Sequence, residues 1–420
     1  MGMERLVVTG GVPLKGSITV SGAKNAILPL LAACLLSKNR VVLEGVPCLN
    51  DVRTMKEVLE SLGAKIKWTG SVMEVDPSSI TSVGVHPDLM RKMRASNLVM
   101  GPLLSRFGRV KASYPGGCTI GSRPIDLHLK GFIALGARIA EDHGFIEAEA
   151  FKLRGTEIHL DFPSVGATEN IMMAASLAEG TTIIRNAARE PEIIDLQNFL
   201  NKLGARIRGA GLDTIRIDGA RRLGKEISYR VIPDRIETGT FMVAAALTQG
   251  EVLIKNTIPE HVEAVTAKLR EAGIKIREEE DRIIVSGQPG WNALDIRTLP
   301  FPGFPTDMQP QMMIFLSLAQ GTSIITENIF ENRFQHVGEF RRMGAQIQVE
   351  GRSAVIRGVS RLTGAVVQAT DLRAGAALVL GGLAAENTTI IEGVHHIDRG
   401  YENLETRLQM LGAKICRTSD

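Results

Sequence analysis

Leu62-Gly63-Ala64-Lys65-Ile66 is one of six copies of a single segment in this chain. The others are Leu135-Gly136-Ala137-Arg138-Ile139, Leu203-Gly204-Ala205-Arg206-Ile207, Ala272-Gly273-Ile274-Lys275-Ile276, Met343-Gly344-Ala345-Gln346-Ile347 and Leu411-Gly412-Ala413-Lys414-Ile415. Their glycines stand 73, 68, 69, 71 and 68 residues apart. Each copy reads as a helix C-terminus in which glycine takes the left-handed cap and a strand follows. The chain is therefore expected to repeat one unit six times.

The flanks give the plan of that unit. Upstream of the glycines lie small apolar strands, among them Thr181-Thr182-Ile183-Ile184, Val252-Leu253-Ile254, Ser323-Ile324-Ile325 and Thr389-Ile390-Ile391. Further upstream lie helices rich in Ala, Met, Leu and Gly: 26–36, 97–104, 168–178, 239–247, 309–318 and 375–385. A helix apolar on nearly every side is buried, and small residues let neighbouring helices approach closely. The helix just before each glycine is amphipathic instead. In 194–203, Asp195, Gln197, Asn198 and Lys202 read as its wet side. Each unit thus runs helix, strand, helix and a pair of strands, with buried and surface helices alternating.

Unit six stops short of its second strand, and the first twenty residues supply a matching piece. Leu6-Val7-Val8-Thr9-Gly10 to Ser17-Ile18-Thr19-Val20 leads into Ser21-Gly22-Ala23-Lys24. Thr214-Ile215-Arg216-Ile217 to Ile227-Ser228-Tyr229-Arg230 leads likewise into Pro233-Asp234-Arg235. The expected fold is α/β, with two domains of three units each and a cleft between them. Residues 21–231 would form domain one, carrying the Cys118 loop, and 1–20 plus 232–420 domain two. A length of 420 residues favours the same division.

Composition sets bounds. The 49 basic and 46 acidic residues create no general field for nucleic acid or membrane. The longest apolar stretch, near 374–385, is shorter than the ~20 residues needed to span a bilayer. Glu4 and Arg5 lead directly into a strand rather than a secretory pattern. Cys34, Cys48, Cys118 and Cys416 lack metal-ligand spacing, which fits a reducing cytoplasm. His395 and His396 are adjacent and expected to diverge, so no metal site is assigned to them.

Charged and capping residues recur where the buried helices begin: Lys24-Asn25, Arg94 with Ser96 and Asn97, Ser164-Val165-Gly166, Asp234-Arg235, Asp307, and Asp371 with Arg373. Helix capping accounts for Ser and Asp at such places. It does not account for Lys24, Arg94, Arg235 and Arg373, since cations are disfavoured at the positive end of a helix. Incoming anions would resolve that conflict, so the ligands are expected to carry phosphate and carboxylate groups. A second cluster lies in the loops before the surface helices. The loop from Tyr114 to Asp126 is rich in Gly and Pro and carries Cys118 near its middle, with Arg123 five residues on. Arg333 and Asp398-Arg399 occupy the corresponding loops of units five and six.

Ser21-Gly22-Ala23-Lys24-Asn25-Ala26, the Pro-Gly-Gly-Cys loop with Gly121-Ser122-Arg123-Pro124, Pro233-Asp234-Arg235-Ile236-Glu237, Pro302-Gly303-Phe304-Pro305-Thr306-Asp307 and His396-Ile397-Asp398-Arg399-Gly400 together resemble the UDP-N-acetylglucosamine 1-carboxyvinyltransferase family of enolpyruvyl transferases. The resemblance runs from about residue 3 to the C-terminus. It implies two inside-out α/β domains, each of three units around a pseudo-threefold axis. The implied reaction moves the enolpyruvyl group of phosphoenolpyruvate to the 3-hydroxyl of UDP-N-acetylglucosamine, the first committed step of peptidoglycan synthesis. No cofactor, metal, nucleic acid or membrane is implied.

By the same resemblance, Cys118 is the general acid and Asp307 the base. Lys24, Asn25, Arg123 and Arg399 meet phosphoenolpyruvate or the intermediate. Arg94, Arg123, Pro124, Ile125, Asp126, Leu127, Pro163, Ser164, Val165, Gly166, Asp307 and Ile329 line the nucleotide sugar. Arg235, Arg333, Asp371 and Arg373 support the site or its closure. Asn50 and Phe162 stand where some members carry lysine. Two other readings stay open: a weakly active paralogue that binds UDP-N-acetylglucosamine and regulates, and a shikimate-type enolpyruvyl transferase.

Overall fold

The computed structural model describes residues 4–116, 120–121 and 125–419. All six repeat glycines sit in the left-handed region, with φ between 92° and 112°. At each, the glycine N–H donates to the carbonyl three residues back at 2.9–3.0 Å. The next N–H donates to the carbonyl five back at 2.9–3.1 Å. This paired closure satisfies the last carbonyls of each surface helix and turns the chain into a strand. An L side chain at that φ would be strained, which is why glycine recurs.

The strands that follow are Lys65–Thr69, Arg138–Asp142, Arg206–Arg208, Lys275–Glu279, Gln346–Glu350 and Lys414–Ser419. Five form antiparallel hairpins with the next strand in sequence: Val72–Asp76, Phe145–Glu149, Thr214–Asp218, Arg282–Ser286 and Ser353–Arg357. Lys414–Ser419 pairs instead with Glu4–Thr9, Val7 standing opposite Cys416. A third antiparallel strand joins each hairpin, for example Val41–Glu44 beside Val72–Asp76 and Thr388–Glu392 beside Glu4–Thr9. The fourth strand is parallel and comes from the preceding unit. Ile227–Arg230 thereby closes onto Val41–Glu44, and Lys15–Thr19 onto Glu251–Lys255. At Arg109–Ser113 a single parallel bridge, Gly84 to Lys111, takes that place.

The chain divides into two compact bodies: Gly22–Cys118 with Arg123–Ile232, and Met1–Ser21, Thr119–Ser122 and Pro233–Asp420. Within the second, the Ile120 carbonyl accepts the Asn332 N–H at 2.9 Å. Each body has its own apolar core. In the first, the helices Lys24–Ala33 and Val165–Ala175 are buried nearly throughout, and Met100–Phe107 over its first five residues. In the second, Arg235–Leu247, Gln309–Leu316 and Leu372–Ala384 pack on one another. Small residues set these approaches: a Cβ on Gly101 would lie 2.4 Å from the Asn170 carbonyl oxygen. Among the described residues, no helix is long and apolar enough to cross a membrane.

Two local readings are corrected. Asp195 is buried in the helix Pro191–Leu203, where the Tyr229 hydroxyl donates to its Oδ1 at 2.7 Å. The strand Ile227–Arg230 covers that side of the helix, leaving Asn198 and Lys202 exposed. His395 and His396 do not diverge either. They lie in the tight turn Val394–Arg399, and their ring centroids are 4.1 Å apart.

Candidate active site

In the first body, Lys24 occupies the first turn of the helix Lys24–Ala33 and is buried. Its Nζ lies 2.9 Å from Oδ2 of Asp51, itself buried in the first turn of the helix Asn50–Ser61. A carboxylate of the protein therefore already answers this cation, a partner that the helix-start argument assigned to ligands. Asn25 is half-buried beside it. The helix packs against the turn Arg94–Val99, where Arg94 is half-buried. That turn in turn meets the helix Val165–Ala175.

Pro163 to Gly166 lead into that last helix and are all half-buried. Ser164 caps it through the Ala167 N–H at 3.4 Å, and its carbonyl accepts the Thr168 N–H. Ile125 is buried just before the helix Asp126–Ala134, in which Asp126 is exposed and Leu127 half-buried. These two helix N-termini meet through His128, since a Cβ on Gly166 would lie 3.2 Å from its Cε1. Cys118, Arg123 and Pro124 lie outside the described residues.

The second body gathers a different set. Asp307 sits in the turn Thr306–Met308 and accepts hydrogen bonds from two arginines. Arg333 Nη2 reaches Oδ1 at 3.1 Å, and Arg373 reaches Oδ2 through Nε at 3.1 Å and Nη2 at 3.0 Å. Both arginine side chains are 2% exposed. Burial works against the Arg373 charge, but Asp307, Tyr401 and Asp234 outweigh it and hold its pKa above the ordinary arginine value. Asp371 caps the helix Leu372–Ala384 through the N–H groups of Arg373 and Ala374, at 2.8 and 3.1 Å. Asp234 caps Arg235–Leu247 in the same way, and the Arg235 guanidinium lies 5.7 Å from the Phe301 ring centre. Arg399 ends the turn Val394–Arg399 and is half-buried, as is Ile329.

Each body thus brings a cation to a buried helix start, Lys24 in the first and Arg373 in the second, and each is held by a protein carboxylate. A family model described as EPSP synthase (3-phosphoshikimate 1-carboxyvinyltransferase) matches residues 8–408. The chain belongs to this enolpyruvyl transferase family.

Full-length relatives are more specific. The chain is 58% identical over 413 residues to UDP-N-acetylglucosamine 1-carboxyvinyltransferase 1 of Caldanaerobacter subterraneus subsp. tengcongensis, covering 98% of this chain and 99% of that one. It is 57% identical over 420 residues to UDP-N-acetylglucosamine 1-carboxyvinyltransferase 2 of Carboxydothermus hydrogenoformans, covering 100% of both. Among solved structures, the enolpyruvyl transferase NikO from Streptomyces tendae matches with a TM-score of 0.90 at 24% identity, over 100% of both chains. EPSP synthase from Acinetobacter baumannii matches with a TM-score of 0.77 at 16% identity, covering 99% of this chain and 100% of that one. These two likenesses carry the family's two-domain α/β fold.

Within this enolpyruvyl transferase, three polar residues stand beside the site that sequence reasoning left out. Asp51 is Lys24's partner. Glu327 joins the Asp307 turn to the Ile329 stretch. His128 is held by a relay: the Gly101 N–H donates to Asn170 Oδ1 at 2.7 Å, which fixes the amide. Asn170 Nδ2 then donates to the Asn97 carbonyl at 2.9 Å and faces His128 Nδ1 at 3.0 Å. Nδ1 is thereby the acceptor, leaving the ring proton on Nε2. Each has polar residues close by in sequence, as in Asn50-Asp51 and Thr326-Glu327-Asn328, so no sequence signal set it apart.

Proposed function

We propose that this protein transfers the enolpyruvyl group of phosphoenolpyruvate to the 3-hydroxyl of UDP-N-acetylglucosamine, releasing phosphate, as a cytoplasmic step of peptidoglycan synthesis. Its place would be in cell-wall growth, cell shape and division, and it would be a target of fosfomycin. The observation that carries the reading is identity of 57–58% over the whole chain to proteins named for this transfer.

In this reading the Cys118 thiol gives a proton to the methylene carbon of phosphoenolpyruvate. The sugar 3-hydroxyl adds to the neighbouring carbon while Asp307 takes its proton. Loss of phosphate, as a basic group of the enzyme takes back a proton from the new methyl group, restores the vinyl ether. Lys24, Arg123 and Arg399 hold the phosphate and carboxylate and stabilise the leaving group. Asn25 contacts the intermediate. Arg94, Ile125 to Leu127, Pro163 to Gly166 and Ile329 take the nucleotide sugar. Burial of Lys24 and the two-sided grip on Asp307 support the placement of these groups, because held charges need no reorganisation during reaction.

The test is phosphate release from phosphoenolpyruvate with UDP-N-acetylglucosamine, beside Cys118→Ala. Release that needs both substrates and falls at least about 10²-fold in the variant is the expected result. Shikimate 3-phosphate is the control acceptor, because the matching family model is named for that reaction. Carboxydothermus hydrogenoformans has relatives numbered both 1 and 2, so a second copy with a regulatory role is the other reading. Tight nucleotide-sugar binding without any release would turn the assignment that way.

A further inference from the structure

We infer that Glu327 is a positioning residue for the sugar acceptor, setting the spacing between Asp307 and Ile329. The inference rests on the acceptor assignment above. Glu327 follows the strand Thr322–Thr326 and is 1% exposed. Its Oε1 accepts the Thr298 hydroxyl at 2.7 Å, the Ile329 N–H at 2.9 Å and the Phe330 N–H at 3.2 Å. Its Oε2 accepts the Thr306 hydroxyl at 2.9 Å. Among the described residues no ion pair involves it, so neutralising a cation is not its visible task.

The donors explain why a carboxylate stands there. Two are backbone amides, which can only donate, and both hydroxyls also turn their protons inward, so the centre must be acceptor-only. They belong to separate stretches of chain. Thr306 opens the turn that carries Asp307, while Ile329 and Phe330 lie on the facing stretch. Thr298 follows the short strand Ile296–Arg297 and is itself held by the Asn328 N–H at 2.9 Å. Arg333 adds a second rung to the same turn through Asp307. The stretch 327–333 therefore grips adjacent residues, Thr306 and Asp307, at two points. Glu327 is too buried to touch substrate, so its effect must pass through what it holds.

Geometry of this kind matters because a misplacement of about 1 Å can cost roughly 10²-fold in rate. The direct test compares Thr306→Val, which removes only the hydroxyl rung, with Thr306→Ser, which keeps it. Phosphate release is measured while each substrate is varied, UDP-N-acetylglucosamine affinity is read by calorimetry, and Tm reports folding. We expect Val to lower kcat/KM for UDP-N-acetylglucosamine about tenfold or more, with the KM for phosphoenolpyruvate within about twofold. Ser restores the wild-type value. Glu327→Gln keeps an oxygen for the two amides and is expected to fall between wild type and Val.

An unchanged kcat/KM in Val overturns the inference. So does an equal loss in Ser, or a loss shared evenly by both substrates, which would mark a merely structural knot. If wild type neither turns over nor binds the nucleotide sugar, the acceptor assignment falls and takes this inference with it. If it binds without turnover, only that assignment's chemistry falls, and weaker binding by Val than by Ser still supports the positioning role.

Discussion

Asp195 shows how much one buried side chain can couple this protein to pH. Burial pushes its carboxyl up to about 7 from 3.8, against the opposing hydrogen bonds from Tyr229 and the Ile232 backbone. A pKa raised in the folded state means that the folded protein binds the extra proton. The stabilisation is complete below the unfolded value and is lost as pH rises through about 7. Asp195→Asn keeps an oxygen for the Tyr229 hydroxyl and removes the ionisation. The variant should match wild type near pH 4 and become the more stable protein by pH 8, by at most about 4 kcal/mol. Urea unfolding across that range checks it, and a difference that does not grow with pH would refute this account of Asp195.

Helices are where the sequence spoke clearly in one respect and misled in another. The six glycine caps were legible because a left-handed residue leaves no good alternative to glycine, so local chemistry and tertiary need coincide. The buried helices were legible because Ala, Met, Leu and Gly leave no wet face. What lay hidden depends on neighbours far away in sequence. Asp195 follows a helical wet stripe, and only the strand Ile227–Arg230 buries it. Lys24 at a helix start pointed to an external anion, whereas Asp51 in the next helix already pairs with it. Glu327 offered no pattern at all, since its four donors come from three stretches. Cap energetics can be tested at Asp234, whose Oδ1 accepts the N–H groups of Ile236 and Glu237 at 2.8 and 2.9 Å. Asp234→Ala should cost about 1–2 kcal/mol, and Asp234→Asn much less, in denaturant midpoints measured side by side.

At the scale of the whole chain, the sixth sheet is built from both ends of the sequence. Glu4–Thr9 lies between Thr388–Glu392 and Lys414–Ser419, with Leu6 and Val8 fully buried. Glu4 stands opposite Ser419, where the other five units have a hairpin turn. Connectivity there is therefore a matter of where the chain is cut, while the pairing itself is what the core requires. A circular permutant joining Ser419 to Glu4 through a short glycine-rich linker recreates that turn. New termini between Gly70 and Ser71 open an exposed hairpin whose strands, Lys65–Thr69 and Val72–Asp76, stay paired across five residues. Exposed tips of this kind are the sites that tolerate such cuts. The permutant should keep wild-type circular dichroism, with a Tm within about 5 °C. Deleting residues 1–10 instead exposes a long apolar edge on both neighbours, and that variant should aggregate or fail to fold. A soluble, cooperatively melting deletion, or a permutant that cannot fold, would show that order of connection matters to this sheet in a way its pairing does not reveal.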